Sequence, residues 1–140
     1  MYNKIAELVK AAEESGKPIS ELMLLQEMAK SHRTREDIWE QMRNNYHAMK
    51  AAVEKGLAGD GVFSPTGLTG GEAVKLRNYR QRGNTLSGDD LLIAVESAFA
   101  TNEVNASLGI ICATPTAGSS GTLPGVMFAI KDKLGLTEEQ

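Results

Sequence analysis

Apolar positions recur along this chain with a helical period almost throughout. From Tyr2 to Glu14, Ile5, Leu8, Val9 and Ala12 fall at spacings of three, one and three, which marks one face of a helix. Gly16 supplies a C-terminal stop, with Pro18 just beyond it. Ser20 is placed to cap a short second helix whose inward side is Leu22, Leu25, Met28 and Ala29. Thr34 and Asp37 have the spacing of a capping box, with the acid standing in for the commoner Glu or Gln. They open a helix that carries Ile38, Met42, Tyr46, Met49 and Val53, runs to Lys55 and is closed by Gly56. At about 1.5 Å per residue such a helix is about 30 Å long, enough to span a small domain.

Residues 56–71, GLAGDGVFSPTGLTGG, break the period with six glycines. A short helix follows with Val74, Leu76 and Tyr79, ending near Gly83. Ser87 and Asp90 repeat the capping-box spacing before a helix that runs to Gly109. Pro124 sits where a first helical turn tolerates it, and the last helix carries Val126, Met127, Ile130 and Leu134 before Gly135. No segment alternates for long enough to read as a strand, so the fold class is all-α. The pattern divides the chain into a helical segment, 1–55, and a loop–helix region, 56–140. The closing TEEQ has the spacing of a helix start, which reads equally as one piece of a larger helical domain or as a frayed polar tail.

Two loops interrupt the helices, SPTGLTGG at 64–71 and TPTAGSSGTLPG at 114–125, and each runs into a helix. Exposed N–H groups at a helix start, with glycines that let a ligand approach, make an anion site. Serine and threonine hydroxyls add donors without adding charge, which suits a small carboxylate. The candidates are Ser64, Thr66, Gly67, Thr69, Gly70 and Gly71 in the first loop. Thr116, Gly118, Ser119 and Ser120 are those in the second. Asn102 and Asn105 lie three apart, late in the helix that feeds the second loop, where two mediocre helix formers need a reason. They are read as partners of that loop or of its ligand. Turn residues alone produce such loops often; two of them opening helices in one small chain bring a site level with ordinary turns. Neither loop matches GxxxxGK[ST] or GxGxxG, so nucleotide binding has no specific support.

Composition narrows the reading. Hydrophobic residues make up 41% and charged residues 24%, as in ordinary globular proteins. A net charge of −3 without a Lys/Arg cluster argues against nucleic acid or an anionic membrane as partner. No apolar run is long enough for a membrane span, and the charged start lacks the apolar centre of a secretion signal. A cytoplasmic location is the simplest reading. The single cysteine, Cys112, lies among apolar neighbours and reads as a buried small side chain rather than a nucleophile. His32 reads as part of an exposed connection and His47 as the edge of a helix stripe, neither with metal-ligand spacing. Met23, Met28, Met42 and Met49 read as core.

The two loops and their flanks carry more than generic chemistry. SPTGLTGGEAVKL followed by TNEVNASLGIICATPTAGSSGTLPG, with LMLLQEM near the start, resembles the α chain of the iron–sulfur-dependent L-serine dehydratases over essentially the whole chain. The resemblance implies a helical catalytic domain that deaminates L-serine to pyruvate and ammonia. It implies a 4Fe–4S cluster acting as Lewis acid on the substrate hydroxyl. In that family the cluster cysteines lie downstream of the PTAGS loop, so Cys112 is not assigned as a ligand and no metal site is expected in this chain. On this reading residues 1–140 are the N-terminal part of the α chain, inactive alone, with the remaining α segment and the β chain as partners. Ser64, Thr66, Gly67, Thr69, Gly70, Gly71, Asn102, Asn105, Thr116, Gly118, Ser119 and Ser120 then position the substrate's carboxylate and amino group. No catalytic base is identified.

The alternatives are a non-catalytic small-carboxylate or amino-acid binding module and a helical assembly domain. A chain lacking the helices that would cover its apolar faces is also expected to self-associate.

Overall fold

The helical period becomes six α-helices in a computed structural model, which describes residues 2–140. They are α1 (Ile5–Ser15), α2 (Ile19–Ser31), α3 (Arg35–Leu57), α4 (Glu72–Gln81), α5 (Asp89–Ala106) and α6 (Ser119–Leu134). Among the described residues there is no strand, only an isolated antiparallel bridge between Phe63 and Gly70. The class is all-α. The chain forms two compact units, one up to Asn44 and one from Asn45 to Gln140, and the division falls inside α3.

In the first unit α1 ends as expected, with Gly16 left-handed and its N–H returned to the Ala12 carbonyl at 2.9 Å. The start of α2 differs from expectation. Pro18, not Ser20, is the N-cap residue: its fixed φ of −65° suits the extended entry, and its missing N–H has no helical role there. His32 ends α2 in the left-handed region, at φ 56°. Leu22 is buried, but Met23 and Met42 are exposed rather than core. Helical spacing fixes which residues share a face; it does not fix whether anything covers that face. Glu21 and Arg35 form a bidentate pair at 2.5 and 3.0 Å, partly open to solvent and so of small weight.

The Thr34–Asp37 capping box forms in full. The Thr34 N–H donates to Asp37 Oδ2 at 3.0 Å, and the Asp37 N–H donates to Thr34 Oγ1 at 3.1 Å. The Thr34 backbone and hydroxyl bonds hold the Asp37 carboxyl below the usual aspartate range. A depressed carboxylate contributes stability that is present above its ordinary value and lost as pH falls through its folded one. Amide-exchange protection at the start of α3 should therefore fall on strong acidification. Thr34→Ala should lower that protection at neutral pH and flatten its acid dependence.

The second unit is built around α5, which buries Leu92, Glu96, Ser97, Ala100, Thr101, Glu103 and Val104. Around it pack Met49, Ala52, Val53 and Gly56 of α3, Ala73 and Val74 of α4, and Ala129 of α6. Gly56 does not stop α3, which continues to Leu57; a Cβ there would lie 2.5 Å from the Ala100 carbonyl oxygen. Gly121 and Gly125 play the same part in α6, against the Ala98 and Ala94 carbonyls at 2.8 and 2.4 Å from an added Cβ. Because α6 already begins at Ser119, Pro124 sits inside the helix rather than in its first turn. The Ser87–Asp90 box does not form. Gly88 is the N-cap, at φ 78° and ψ 160°, with no side-chain cap bond, and Asp89 and Asp90 instead face the positive helix end. α5 closes where Leu108 turns left-handed and the Gly109 N–H reaches the Val104 carbonyl at 2.8 Å. Cys112 is half-buried rather than fully buried. At the end of the chain the Thr137 N–H donates to Gln140 Oε1 at 3.0 Å, outside any helix.

Candidate functional site

The first loop is a closed turn around its hydroxyls. Ser64 and Gly67 form one backbone bond (Gly67 N–H to Ser64 O, 2.9 Å), and the Ser64 N–H reaches the Thr69 carbonyl at 2.9 Å. Ser64 Oγ lies 3.2 Å from Thr66 Oγ1 and accepts from the Thr69 N–H at 3.3 Å. Thr66, Gly67 and Thr69 are exposed, with Ser64 half-buried behind them. Gly70 is required by its surroundings: at φ 140°, a Cβ there would lie 2.3 Å from the Val62 carbonyl. Gly71 is the N-cap of α4 and presses against the Phe63 ring.

The helix entrance behind this loop already holds an anion-type group. Glu103 Oε1, from α5, accepts from the Glu72 N–H at 2.6 Å and the Ala73 N–H at 3.2 Å. Glu72 in turn accepts the Gly70 N–H on its Oε2 at 2.8 Å. Glu103 is 3% exposed. Burial first, and then the neighbouring Glu72 carboxyl, push its carboxyl above the usual range. The influence of Glu103 and the Gly70 N–H hold Glu72 below it.

The second loop is organised by Ser119. Its Oγ lies 2.7 Å from both Thr114 Oγ1 and the Thr116 carbonyl, and it accepts from the Thr116 N–H at 3.2 Å. Thr116 Oγ1 accepts the Ser119 N–H at 3.2 Å. Gly118 is the N-cap and no side chain caps it. Ser120 is buried, its hydroxyl committed to the Ala117 carbonyl at 2.6 Å, a structural bond.

Asn102 stands beside this entrance. Its side-chain N and O would lie 2.8 and 2.9 Å from a Cβ on Gly121. Asn105 is exposed one turn further along α5. Consecutive residues of α5 therefore meet the two helix starts: Asn102 faces that of α6 and Glu103 holds that of α4. The first turns of α4 and α6 thus pack against one turn of α5.

Glu72 and Glu103 are absent from the sequence-derived candidates, although a signal existed. Glu96 and Glu103 are seven apart on a stripe otherwise made of small and apolar residues, where two acids are out of place. The chain's donor set does not fit an iron–sulfur cluster. It has one cysteine, and the described residues hold no group of three or more His, Cys, Asp or Glu side chains able to bind a metal. Among the described residues no helix is long and apolar enough to cross a membrane.

A family model described as serine dehydratase alpha chain matches residues 14–140. A probable L-serine dehydratase alpha chain of Bacillus subtilis is 53% identical over 140 residues, covering all of this chain and 46% of the relative. The L-serine dehydratase alpha chain of Peptoniphilus asaccharolyticus is 36% identical over 133 residues, 95% of this chain and 45% of that one. An L-serine dehydratase of Streptomyces coelicolor is 34% identical over 126 residues, covering 86% and 26%. No solved structure matches. The chain thus spans less than half the length of these relatives. A match over nearly the whole chain, including both hydroxyl loops, makes it a member of the serine dehydratase α-chain family.

Proposed function

We propose that this chain is the N-terminal part of an L-serine dehydratase α-chain catalytic domain, and that it supplies the loops that position L-serine for deamination to pyruvate and ammonia. The observation that supports the reading is that the helix starts behind the two loops, those of α4 and α6, contact adjacent residues of α5. The substrate carboxylate is assigned to the start of α6, where Thr116 and Ser119, which bond to each other in this structure, would turn their donors to the ligand beside Gly118 and Asn102. Ser64, Thr66 and Thr69 of the exposed first loop, carried on Gly67, Gly70 and Gly71, take the amino and hydroxyl end. Asn105 lies at the outer edge. Ser120 acts by shaping the turn.

A 4Fe–4S cluster, implied by the resemblance, would draw its thiolates from outside these residues. The remaining α segment and the β chain complete the enzyme, in the cytoplasm. The test is to assemble the full α chain with its β chain and follow pyruvate. Ser119→Ala should raise KM for L-serine by roughly tenfold, the cost of one or two lost hydrogen bonds to a charged group. An assembled enzyme that handles L-serine equally well with Ala at 64, 66 and 119 would sink the assignment.

The chain by itself should self-associate. Leu91, Phe99 and Val126 are exposed and line an open apolar groove of about 300 Å³ along α5 and α6, and Ile130 is exposed further along α6. Light scattering should show species larger than 15.0 kDa, with a concentration dependence that Phe99→Glu reduces.

A further inference from the structure

The carboxyl group of Glu103 is only half explained by its contacts. Oε1 accepts two N–H groups at the start of α4, but Oε2 is buried and has no hydrogen-bond partner among the donors of the described residues. An ionised oxygen left dry and unpaired in a protein interior is strongly disfavoured. The neighbouring acid is Glu72, whose own N–H bonds to Glu103 Oε1 and whose carboxylate turns back onto the same helix start at Gly70. Two carboxylates side by side cannot both keep their charge without cost, whereas an acid and a carboxylate can share one proton. Glu72 is the better-solvated member, and its Oε2 already accepts the Gly70 N–H.

We propose that Glu103 and Glu72 form a proton-sharing carboxyl pair that clamps the start of α4 and thereby fixes the shape of the hydroxyl loop at 64–71. Glu103 carries the proton on Oε2 and donates it to the Glu72 carboxylate. Oε1 anchors the Glu72 and Ala73 N–H groups, and Glu72 holds Gly70. The closed chain of bonds spans Gly70 to Ala73, so the backbone leaving Thr69 has one path. Both residues are positioning residues, and the link to substrate rests on the loop reading above. The helix entrance of the first loop is filled by the protein's own carboxyl. It is therefore unavailable to a substrate carboxylate, which the reading above assigns to the start of α6.

Glutamine discriminates the protonated from the ionised form, because its amide N–H₂ donates where a neutral acid's O–H would. In the assembled α and β chains, Glu103→Gln should keep amide-exchange protection at Gly70–Ala73. Its KM for L-serine should stay within about threefold of the wild type. Glu103→Ala should lose the protection and raise KM by roughly tenfold, with kcat changed much less, as expected when positioning rather than chemistry is lost. Exchange at the start of α3, outside the clamp, controls for general unfolding. Infrared difference spectra of wild type minus Glu103→Gln should show the C=O stretch of a neutral carboxylic acid. Absence of that band, or a Gln variant as unprotected as the Ala variant, would overturn the proton-sharing pair. Protection at Gly70–Ala73 that survives Glu103→Ala would overturn the clamp. If the wild-type assembly does not turn over L-serine, the dehydratase reading fails, while exchange and infrared measurements still decide the pair.

Discussion

Gly125→Ala should be among the most damaging single-methyl additions in this chain, with Gly56→Ala close behind. A Cβ at 125 would sit 2.4 Å from the Ala94 carbonyl oxygen, and one at 56 would sit 2.5 to 2.7 Å from three backbone atoms of Ala100. Neither obstacle is the end of a flexible side chain, so relief requires α5 to move as a body away from α6 or α3. Overpacking of this kind costs about 3 kcal/mol or more, at the upper end of the usual range because backbone meets backbone. For a unit of this size the corresponding drop in Tm is roughly 10–25 °C. Gly118→Ala is the control: its φ of −67° and ψ of −34° are helical, and nothing lies within 4 Å of an added Cβ. That change should leave Tm within a few degrees of the wild type or raise it slightly. Thermal melts of the three variants decide the matter, and equal Tm values would mean that the helices are not packed backbone to backbone.

The same glycines show what could and could not be read from the sequence. Helix order, the stops at Gly16 and Gly135 and the box at Thr34–Asp37 were legible because each depends on residues within one turn of one another. Gly56 was misread as a stop, since nothing local distinguishes a glycine that ends a helix from one that admits a second helix. Gly121 and Gly125 were misread as loop residues for the same reason, which also pushed Pro124 into a first turn it does not occupy. The hydroxyl content of the site was visible as composition. Its central fact was not. Glu103 closes the start of α4 across 31 residues of sequence, and only the packing of α4 on α5 brings it there.

The second large effect concerns the other end of α4. Arg80 forms a two-pronged pair with Glu96 of α5, Nε to Oε2 at 3.0 Å and the terminal nitrogen to Oε1 at 2.8 Å. The side chains are only 19% and 5% exposed. Arg80→Ala should destabilise the unit by about 3 kcal/mol, chiefly because the Glu96 carboxylate is left buried without its counter-ion. Arg80→Lys should recover only part of that loss, since an ammonium cannot reproduce the planar fork. Arg80→Met combined with Glu96→Leu should be much milder than the sum of the two single changes, because it removes both charges together. Urea denaturation of these variants and of the single changes Arg80→Met and Glu96→Leu tests this, and strict additivity would show that the two groups are not energetically paired. α4 buries only Ala73 and Val74, so apolar contact alone holds it weakly. A carboxyl group of α5 secures it at each end instead, Glu103 at the start and Glu96 at the finish. Loss of Arg80 should therefore free the amides near Gln81 while sparing Gly70–Ala73, and loss of Glu103 should do the reverse. Removing both anchors should release α4 along its whole length, and the exposed hydroxyl loop would lose the support that holds it beside α5.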